Sequence, residues 1–301
     1  MSYSLRNLDA LESEAIHTIR EVAAAFENPV LLYSIGKDSM CMLHVARKAF
    51  APGPVPFALL HIDTTWNFRA MIEFRDRYCA EHGFKLIVHV NEKALAAGMN
   101  PFDYPSSVYT PTMNTHALID ALDTYRFDAA LGGGRRDEEK SRAKERVFSF
   151  RDANHQWNPK NQRPELWSLY NTRIRRGENI RVFPLSNWTE LDVWQFIAER
   201  NIEVPSLYFA HRREVVRRAG MLMAVHPALP AVEGDEVEEL VVRYRTVGDA
   251  SCTGAIASVA STPEAVIAEI ERSQLTERGA TRADDRISDT GMEDRKREGY
   301  F

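Results

Sequence analysis

The heptad Tyr33-Ser34-Ile35-Gly36-Lys37-Asp38-Ser39 restricts the fold more than any other stretch of this chain. A short apolar run at 29–33 leads into it, and residues 40–48, of helical composition without a breaker, follow it. The local order is therefore buried strand, tight loop, helix. A loop that opens a helix presents unpaired backbone N–H groups, and these attract anions. Gly36 permits close backbone approach, Ser34 and Ser39 add hydroxyl donors, and Lys37 adds the point charge of an exposed loop lysine. Together they form a phosphate cradle. It differs from the common nucleotide loop G-x-x-x-x-G-K-[ST], because Leu31 stands at the first glycine and Asp38 follows the lysine.

The rest of the chain sets this loop in an α/β pattern. An amphipathic helix over 8–26 precedes the first strand. Residues 57–63 read as a second buried strand ending in Asp63, 67–82 as a helix closed by Gly83, and 85–90 as a third strand. A helix near 115–126, short strands at 127–131 and 180–185, and a helix to about 200 follow, the last opened by a Thr189…Asp192 capping box. Strands alternating with helices predict a parallel twisted sheet with helices on both faces. Ligands bind such sheets at the C-terminal strand ends, where Ser34 and Asp63 stand. Residues 95–115, rich in Pro, Ser and Thr, read as a loop, and 151–179 as irregular. Beyond about 205 the pattern weakens to helical stretches near 211–219, 235–240 and 263–275, and the charged end 276–301 has no apolar period. The expected division is an α/β domain over 1–205 and a partly helical, partly irregular, partner-binding extension over 206–301.

Composition narrows the function classes. The 301 residues are 44% hydrophobic and 27% charged with a net charge of −5, an ordinary globular balance that offers no whole-chain attraction to nucleic acid or an anionic membrane. No apolar run is long enough to span a bilayer, and the N-terminus lacks the apolar core of a signal peptide. Cys41, Cys79 and Cys252 lie far apart without a C-x-x-C, which argues against a zinc or iron–sulfur site and for a reducing, cytoplasmic setting.

A second anionic site is written in 132–146. Gly132, Gly133 and Gly134 end a strand, and Arg135, Arg136, Lys140, Arg142, Lys144 and Arg146 then alternate with four carboxylates. Such a run alone is a solvated helix with i,i+4 ion pairs. Here it follows three glycines at a sheet edge and begins with paired arginines, which suit bidentate contact with phosphate or sulfate.

The 34–39 loop resembles the S-x-G-K-D-S pyrophosphate loop of the N-type ATP pyrophosphatases, which split ATP between its α and β phosphates and transfer AMP. Residues 132–146 resemble the signature of the small subunit of bacterial sulfate adenylyltransferase, and further matches at 149–152, 157–167, 181–189 and Gly299-Tyr300-Phe301 extend the likeness over essentially the whole chain. The resemblance implies an adenine nucleotide α-hydrolase-like fold. It implies synthesis of adenosine 5′-phosphosulfate and pyrophosphate from sulfate and MgATP, beside a larger GTPase subunit that carries GTP. It also implies site roles. Ser34, Gly36, Lys37 and Ser39 would take the β and γ phosphates, with Gly132 and Gly133 also on ATP, and Asp38 would hold Mg²⁺ through water or fix the loop. Asp63 would lie near the nucleoside, and Arg135, Arg136, Lys140 and Arg142 would serve sulfate and the departing pyrophosphate. Gly36-Lys37 is the only Gly-Lys in the chain, so the GTPase must be a second polypeptide.

Several positions depart from the family. Ile35 is accepted by the family although relatives carry glycine there, Thr65 stands where the family's Asp-Thr-Gly has glycine, Ala257 stands in place of an expected glutamate, and 103–115 fit poorly. Two other readings share the pattern. A phosphoadenylyl-sulfate reductase needs a nucleophilic cysteine in Glu-Cys-Gly, whereas Cys252 lies in Ser-Cys-Thr. A catalytically idle regulatory subunit of the GTPase would not need the intact 34–39 and 132–146 stretches.

Overall fold

The structure, a computed structural model, describes residues 6–272 except 139, 219 and 228, and the side chains of Lys140 and Ser141 also lie outside the description. The expectations for 276–301 fall outside the described residues. Helix α1 (Asn7–Ala25) buries Leu8, Ala15, Ile19 and Val22, the stripe its periodicity predicts. The sheet begins with β1 (Pro29–Leu32), which leads through the heptad into α2 (Lys37–Phe50). Then come β2 (Ala58–Ile62), α3 (Arg69–His82) and β3 (Leu86–His89). Gly83 ends α3 at φ 66°, the left-handed stop that glycine allows without a Cβ clash. After α4 (Glu92–Ala96), α5 (Ser106–Thr110) and α6 (Ala117–Tyr125), the sheet is completed by β4 (Ala129–Leu131), β5 (Phe148–Arg151) and β6 (Asn179–Val182). Helix α7 (Glu190–Arg200) follows, with the expected capping box formed: Thr189 N–H donates to Asp192 Oδ2 at 2.8 Å, and Asp192 N–H to Thr189 Oγ1 at 3.1 Å.

The strand order is β3-β2-β1-β4-β6-β5, parallel throughout except for the antiparallel β5 at one edge. Leu31, Leu59, Leu131 and Val182 face one core with α1 and α2, whereas Val30, Leu32, Leu60 and Ala130 face a second with Leu118 and Leu122 of α6. That two-residue alternation buries both faces, as the parallel-sheet expectation requires. The chain winds outward from β1 to β3, then returns to lay β4 on the other side of β1. Between β1 and β4 the winding reverses, and the crevice outside such a reversal is where open α/β sheets bind ligands. The two motif loops, at 34–36 and 132–134, meet there.

Three local expectations are corrected. Residues 106–116 are helical rather than loop: α5 runs into a π-turn at Pro111–His116 and so into α6. Pro111 stands where the bonding of α5 gives way to the π-type pattern, so its missing N–H falls at the change of pattern and the run continues. The expected helices at 211–219 and 235–240 are instead the strands β7 (His211–Arg218) and β9 (Glu238–Arg243). With β8 (Met221–Ala224) and β10 (Gly254–Ala257) they close a small antiparallel barrel in the order β10-β8-β7-β9. Charged residues hid the strand period: Arg212 and Glu214 point out between inward neighbours. Cross-strand pairs Arg212–Glu239 (3.2 Å) and Arg217–Glu238 (3.3 Å) then lace the outer face. The third expected helix is present as α8 (Pro263–Ile270), capped by Thr262.

Candidate active site

The crevice begins where β1 and β2 part. Tyr33 N–H still pairs with Leu60 C=O at 2.8 Å, but Tyr33 C=O takes the Nδ1–H of His61 at 2.8 Å. Burial pushes the His61 pKa down, so the ring is neutral, with Nδ1 as its donor. At the next turn Ile35 adopts φ 66°. A left-handed conformation costs an L-residue roughly 1–2 kcal/mol, whereas full burial of an isoleucine side chain contributes about 1.5–3 kcal/mol. Ile35 is 1% exposed within the main core, so packing outweighs strain and the glycine of relatives is not required here. Thr65 adopts φ 67° at the corresponding turn after β2 and, being exposed, has no such burial to offset it.

Helix α2 starts at Gly36, which has no side chain to cap it, and residues 36–39 of this start line the crevice. Lys37 is not the exposed lysine expected of a loop: it is 1% exposed. Its N–H donates to Tyr208 Oη at 3.0 Å, and its ammonium lies 3.1 Å from Asp38 Oδ2. Asp38 Oδ1 in turn accepts from Arg135 Nε at 2.6 Å. Burial works against the Asp38 charge, but Arg135 and Lys37 outweigh it and bring the pKa down to about 2. Both Asp38 oxygens are thus engaged by cations, a poor ligand set for a resident Mg²⁺. Among the described residues no group of three His, Cys, Asp or Glu side chains is placed to hold a metal ion. Ser39 Oγ donates inward to Gly36 C=O at 2.8 Å, which braces the loop.

The β4 loop lies against this start. A Cβ on Gly133 would stand 3.1 Å from Asp38 Cβ, and one on Gly134 would overlap the Arg142 guanidinium. Arg135 is buried, with Asp137 at 3.6 Å and Glu138 at 3.8 Å besides Asp38. Arg136 turns away, donating to Glu145 C=O at 3.1 and 3.3 Å and to Asn187 Oδ1. Arg142 faces the cavity beside Glu138, at 3.2 Å. Asp63 accepts from Thr65 N–H at 2.7 Å and lies 3.7 Å from Arg75, fixing its own turn. The loop residues, Gly132, Gly133 and Arg142 are therefore brought together around one cavity of about 270 Å³. Arg135 stands behind its wall, Arg136 and Asp63 are engaged elsewhere, and the Lys140 side chain lies outside the description.

The other wall comes from the C-terminal third, which sequence reasoning left out of the site. Tyr208, Thr246, Gly248, Asp249 and Cys252 line the same cavity. Thr64 Oγ1 donates to Asp249 Oδ1, and Ala250 N–H donates to Trp66 C=O at 2.9 Å, so 246–252 is stitched to the turn after β2. Below it Arg245 and Glu190 form a buried ion pair with Nε to Oε1 at 3.2 Å, and Glu190 N–H donates to Asp137 at 3.1 Å. All three cysteines are buried. Burial pushes the Cys41 thiol well up and that of Cys79 to about 11, so neither is poised as a nucleophile.

Chemically, the cavity offers an anionic ligand a helix N-terminus and two cations, Lys37 beside Asp38 and Arg142 beside Glu138, with the Asp249 carboxylate and neutral polar groups at the other end. Residues 28–255 match the family described as the phosphoadenosine phosphosulfate reductase domain. The chain is 58% identical over 302 residues to sulfate adenylyltransferase subunit 2 of Geobacter metallireducens, covering 100% of both chains. It is 57% identical over 299 residues to the protein of the same description from Brucella ovis, covering 99% of both. Among solved structures it is similar to phosphoadenylyl-sulfate reductase from Candida auris in a phosphate complex. That match has 18% identity and a TM-score of 0.46 over 69% of this chain and 93% of that one.

Proposed function

We propose that this cavity is where the chain, which belongs to the sulfate adenylyltransferase subunit 2 family, moves an adenylyl group from ATP to sulfate. The chain is a nucleotidyltransferase whose products are adenosine 5′-phosphosulfate and pyrophosphate. One observation carries the siting: the start of α2 and the Arg142 guanidinium face a single cavity at the reversal of the sheet.

A sulfate oxygen attacks the α-phosphorus of ATP, the bond to the bridging oxygen of the β-phosphate breaks, and pyrophosphate leaves with that electron pair. Sulfate is already ionised, so no general base is needed, and catalysis is positioning and charge stabilisation. The N–H groups of Asp38 and Ser39 in the first turn of α2, with the Lys37 ammonium and Ser34, take the β and γ phosphates, and Gly132 and Gly133 let the backbone approach the nucleotide. Arg142 faces the sulfate. Asp38 holds Lys37 and Arg135 in place, and Mg²⁺ enters with ATP as MgATP, where it neutralises the phosphates. The C-terminal segment 246–252 closes over the nucleoside end, so the first task of the extension beyond 205 is to complete the site.

The new anhydride is of high energy, so the reaction lies toward ATP unless it is driven. GTP hydrolysis on a separate, larger subunit supplies that drive. Among the described residues no helix is long and apolar enough to cross a membrane, and a cytoplasmic setting accords with the ATP demand.

The test is sulfate-dependent pyrophosphate release by the purified chain, alone and with its complementary subunit and GTP. Weak release alone and strong release with both is expected. ATP breakdown indifferent to sulfate would end the adenylyltransferase reading, and full, GTP-indifferent activity of the lone chain would end the two-subunit one.

Gly134→Ala probes the sulfate end. The new methyl displaces only the far end of Arg142, although Phe183 Cδ1 also comes within 3.1 Å. Stability should fall by about 1 kcal/mol, at the low end for overpacking. The kcat/KM for sulfate should fall about tenfold or more, as expected when a charged contact moves by an ångström. An unchanged kcat/KM in a folded variant would remove Arg142 from the site.

A further inference from the structure

We infer that Asn114 reads the edge of the adenine ring and so sets the base preference of the site, an inference that rests on ATP occupying the cavity in the proposed reaction. The cavity has two chemical ends. Arg142 lies against Gly134 and Gly133 lies against Asp38, so Lys37 and Arg142 both gather at the start of α2. The aliphatic lining, Leu32, Leu60, Ile62 and Leu118, belongs instead to the second core, between the sheet and α6. Adenine is the one flat, weakly polar part of MgATP, whereas sulfate is a dianion that gains nothing from aliphatic side chains. The ring therefore lies against the α6 side while the phosphates reach the start of α2.

Leu118 has two companions on that side. Thr110, Asn114 and Leu118 recur every four residues along the continuous helical path of α5, the π-turn and α6, and all three line the cavity. In a plain α-helix a four-residue step overshoots one turn, so such a stripe drifts sideways. The wider winding of a π-turn reverses that drift and keeps Asn114 in line with Leu118, and turns of this kind inside α-helices recur at functional sites. This one is fixed by its surroundings. Asn91 Nδ2–H donates to Thr112 C=O at 2.9 Å, Thr112 Oγ1 donates to Val108 C=O at 2.7 Å, and Met113 and Thr115 are buried.

Asn114 itself is half-buried, and among the described residues its amide makes no hydrogen bond. The other asparagine of the lining, Asn67, is already engaged, at 3.4 Å from Thr64 Oγ1. Asparagine is a poor helix former, because its side chain competes with the backbone for hydrogen bonds. Neither propensity nor a structural bond therefore accounts for an amide at 114. A ligand does. The amide oxygen accepts from the 6-amino group of adenine and the amide N–H donates to N7, the two-bond pairing that asparagine makes with this base. A base with oxygen at C6 presents two acceptors along that edge and leaves the amide oxygen against a lone pair.

The experiment measures binding of MgATP, of purine riboside 5′-triphosphate, in which hydrogen replaces the 6-amino group, and of 2′-deoxyATP. Calorimetry on the full chain compares wild type with Asn114→Ala and Asn114→Leu. The leucine variant keeps the volume and suits a helix, which guards against loss of the turn. Wild type should bind ATP about tenfold more tightly than the deamino analogue, the discrimination expected of a paired amide. In both variants that ratio should fall to near one, because ATP loses a contact that the analogue never made. The ratio of ATP to 2′-deoxyATP should be the same in all three proteins. A wild-type ratio near one for the deamino analogue overturns the inference, as does a ratio that neither substitution changes. So does a change confined to 2′-deoxyATP, which would give the amide to the ribose. Sulfate-dependent pyrophosphate release, measured with the complementary subunit and GTP, separates the two claims. An active wild type whose base preference ignores residue 114 sinks the inference alone. A wild type that shows the preference and its loss in the variants, yet releases no pyrophosphate with sulfate, sinks the adenylyltransferase reading and upholds Asn114 as the reader of the base.

Discussion

Lys37→Ala is expected to lower kcat for adenylyl transfer by about 10²–10³-fold, the usual loss when one preorganised charge aimed at a transition state is removed. The ammonium is buried at the opening of α2, where low dielectric strengthens its action on the phosphate charge that develops as pyrophosphate leaves. Because it is buried, the substitution also touches the fold. Asp38 loses one of two cationic partners and keeps Arg135 at 2.6 Å. The stability loss should therefore stay near 1–3 kcal/mol, the range for one charged hydrogen bond. Lys37→Met, which keeps most of the volume, should match the alanine variant in turnover and exceed it in Tm. Single-turnover product formation, read beside a thermal melt, separates the two effects. Near-normal turnover in either variant would take the loop out of the chemistry.

Arg135→Ala should be the most destabilising change in the site. Its guanidinium is fully buried and joins Asp38 at the start of α2 to Asp137, whose carboxylate also accepts the first N–H of α7. Asp38 keeps Lys37, but Glu138 and Asp137 lose Arg135 as well, and breaking a buried ion pair typically costs about 3–5 kcal/mol. For a chain of this size that lowers Tm on the order of 10 °C. Arg135→Lys should recover only part of it, since one ammonium cannot serve three carboxylates set around a planar fork. Arg136→Ala, which frees Glu145 C=O and Asn187, should cost less than Arg135→Ala. Denaturation midpoints without ligand decide the matter. Unaltered stability with lost activity in Arg135→Ala would return that residue to direct contact with the anion.

The contrast between these arginines shows where local reading ends. Adjacent arginines after three glycines at a strand end point to an anion site, and the segment does reach the cavity through Gly132, Gly133 and Arg142. Which guanidinium faces inward depends on what stands opposite each one. For Arg135 that is Asp38, 97 residues earlier, and for Arg136 it is Asn187, 51 residues later. Lys37 is similar: the loop pattern identifies it, and Tyr208, 171 residues away, helps bury it. The strands β7 and β9 were hidden for another reason. Their outward charges are neutralised across the ladder, so hydropathy along the chain carries little of their period.

The sequence by itself determined the strand–loop–helix unit at 29–50, the parallel α/β alternation around it, the glycine-led second segment and the family, because each is a property of consecutive residues. Backbone periodicity, capping and turn chemistry act over a few positions, and contiguous sequence records them in full. Tertiary structure alone decided that β1 and β4 lie side by side, so that the two loops share one crevice. It alone placed Asp249 against Thr64 across 185 residues and closed the cavity with the 246–252 loop between β9 and β10. Burying those charges and hydroxyls costs free energy unless each finds a partner, the partners here are remote in the chain, and no local window contains both members of such a pair.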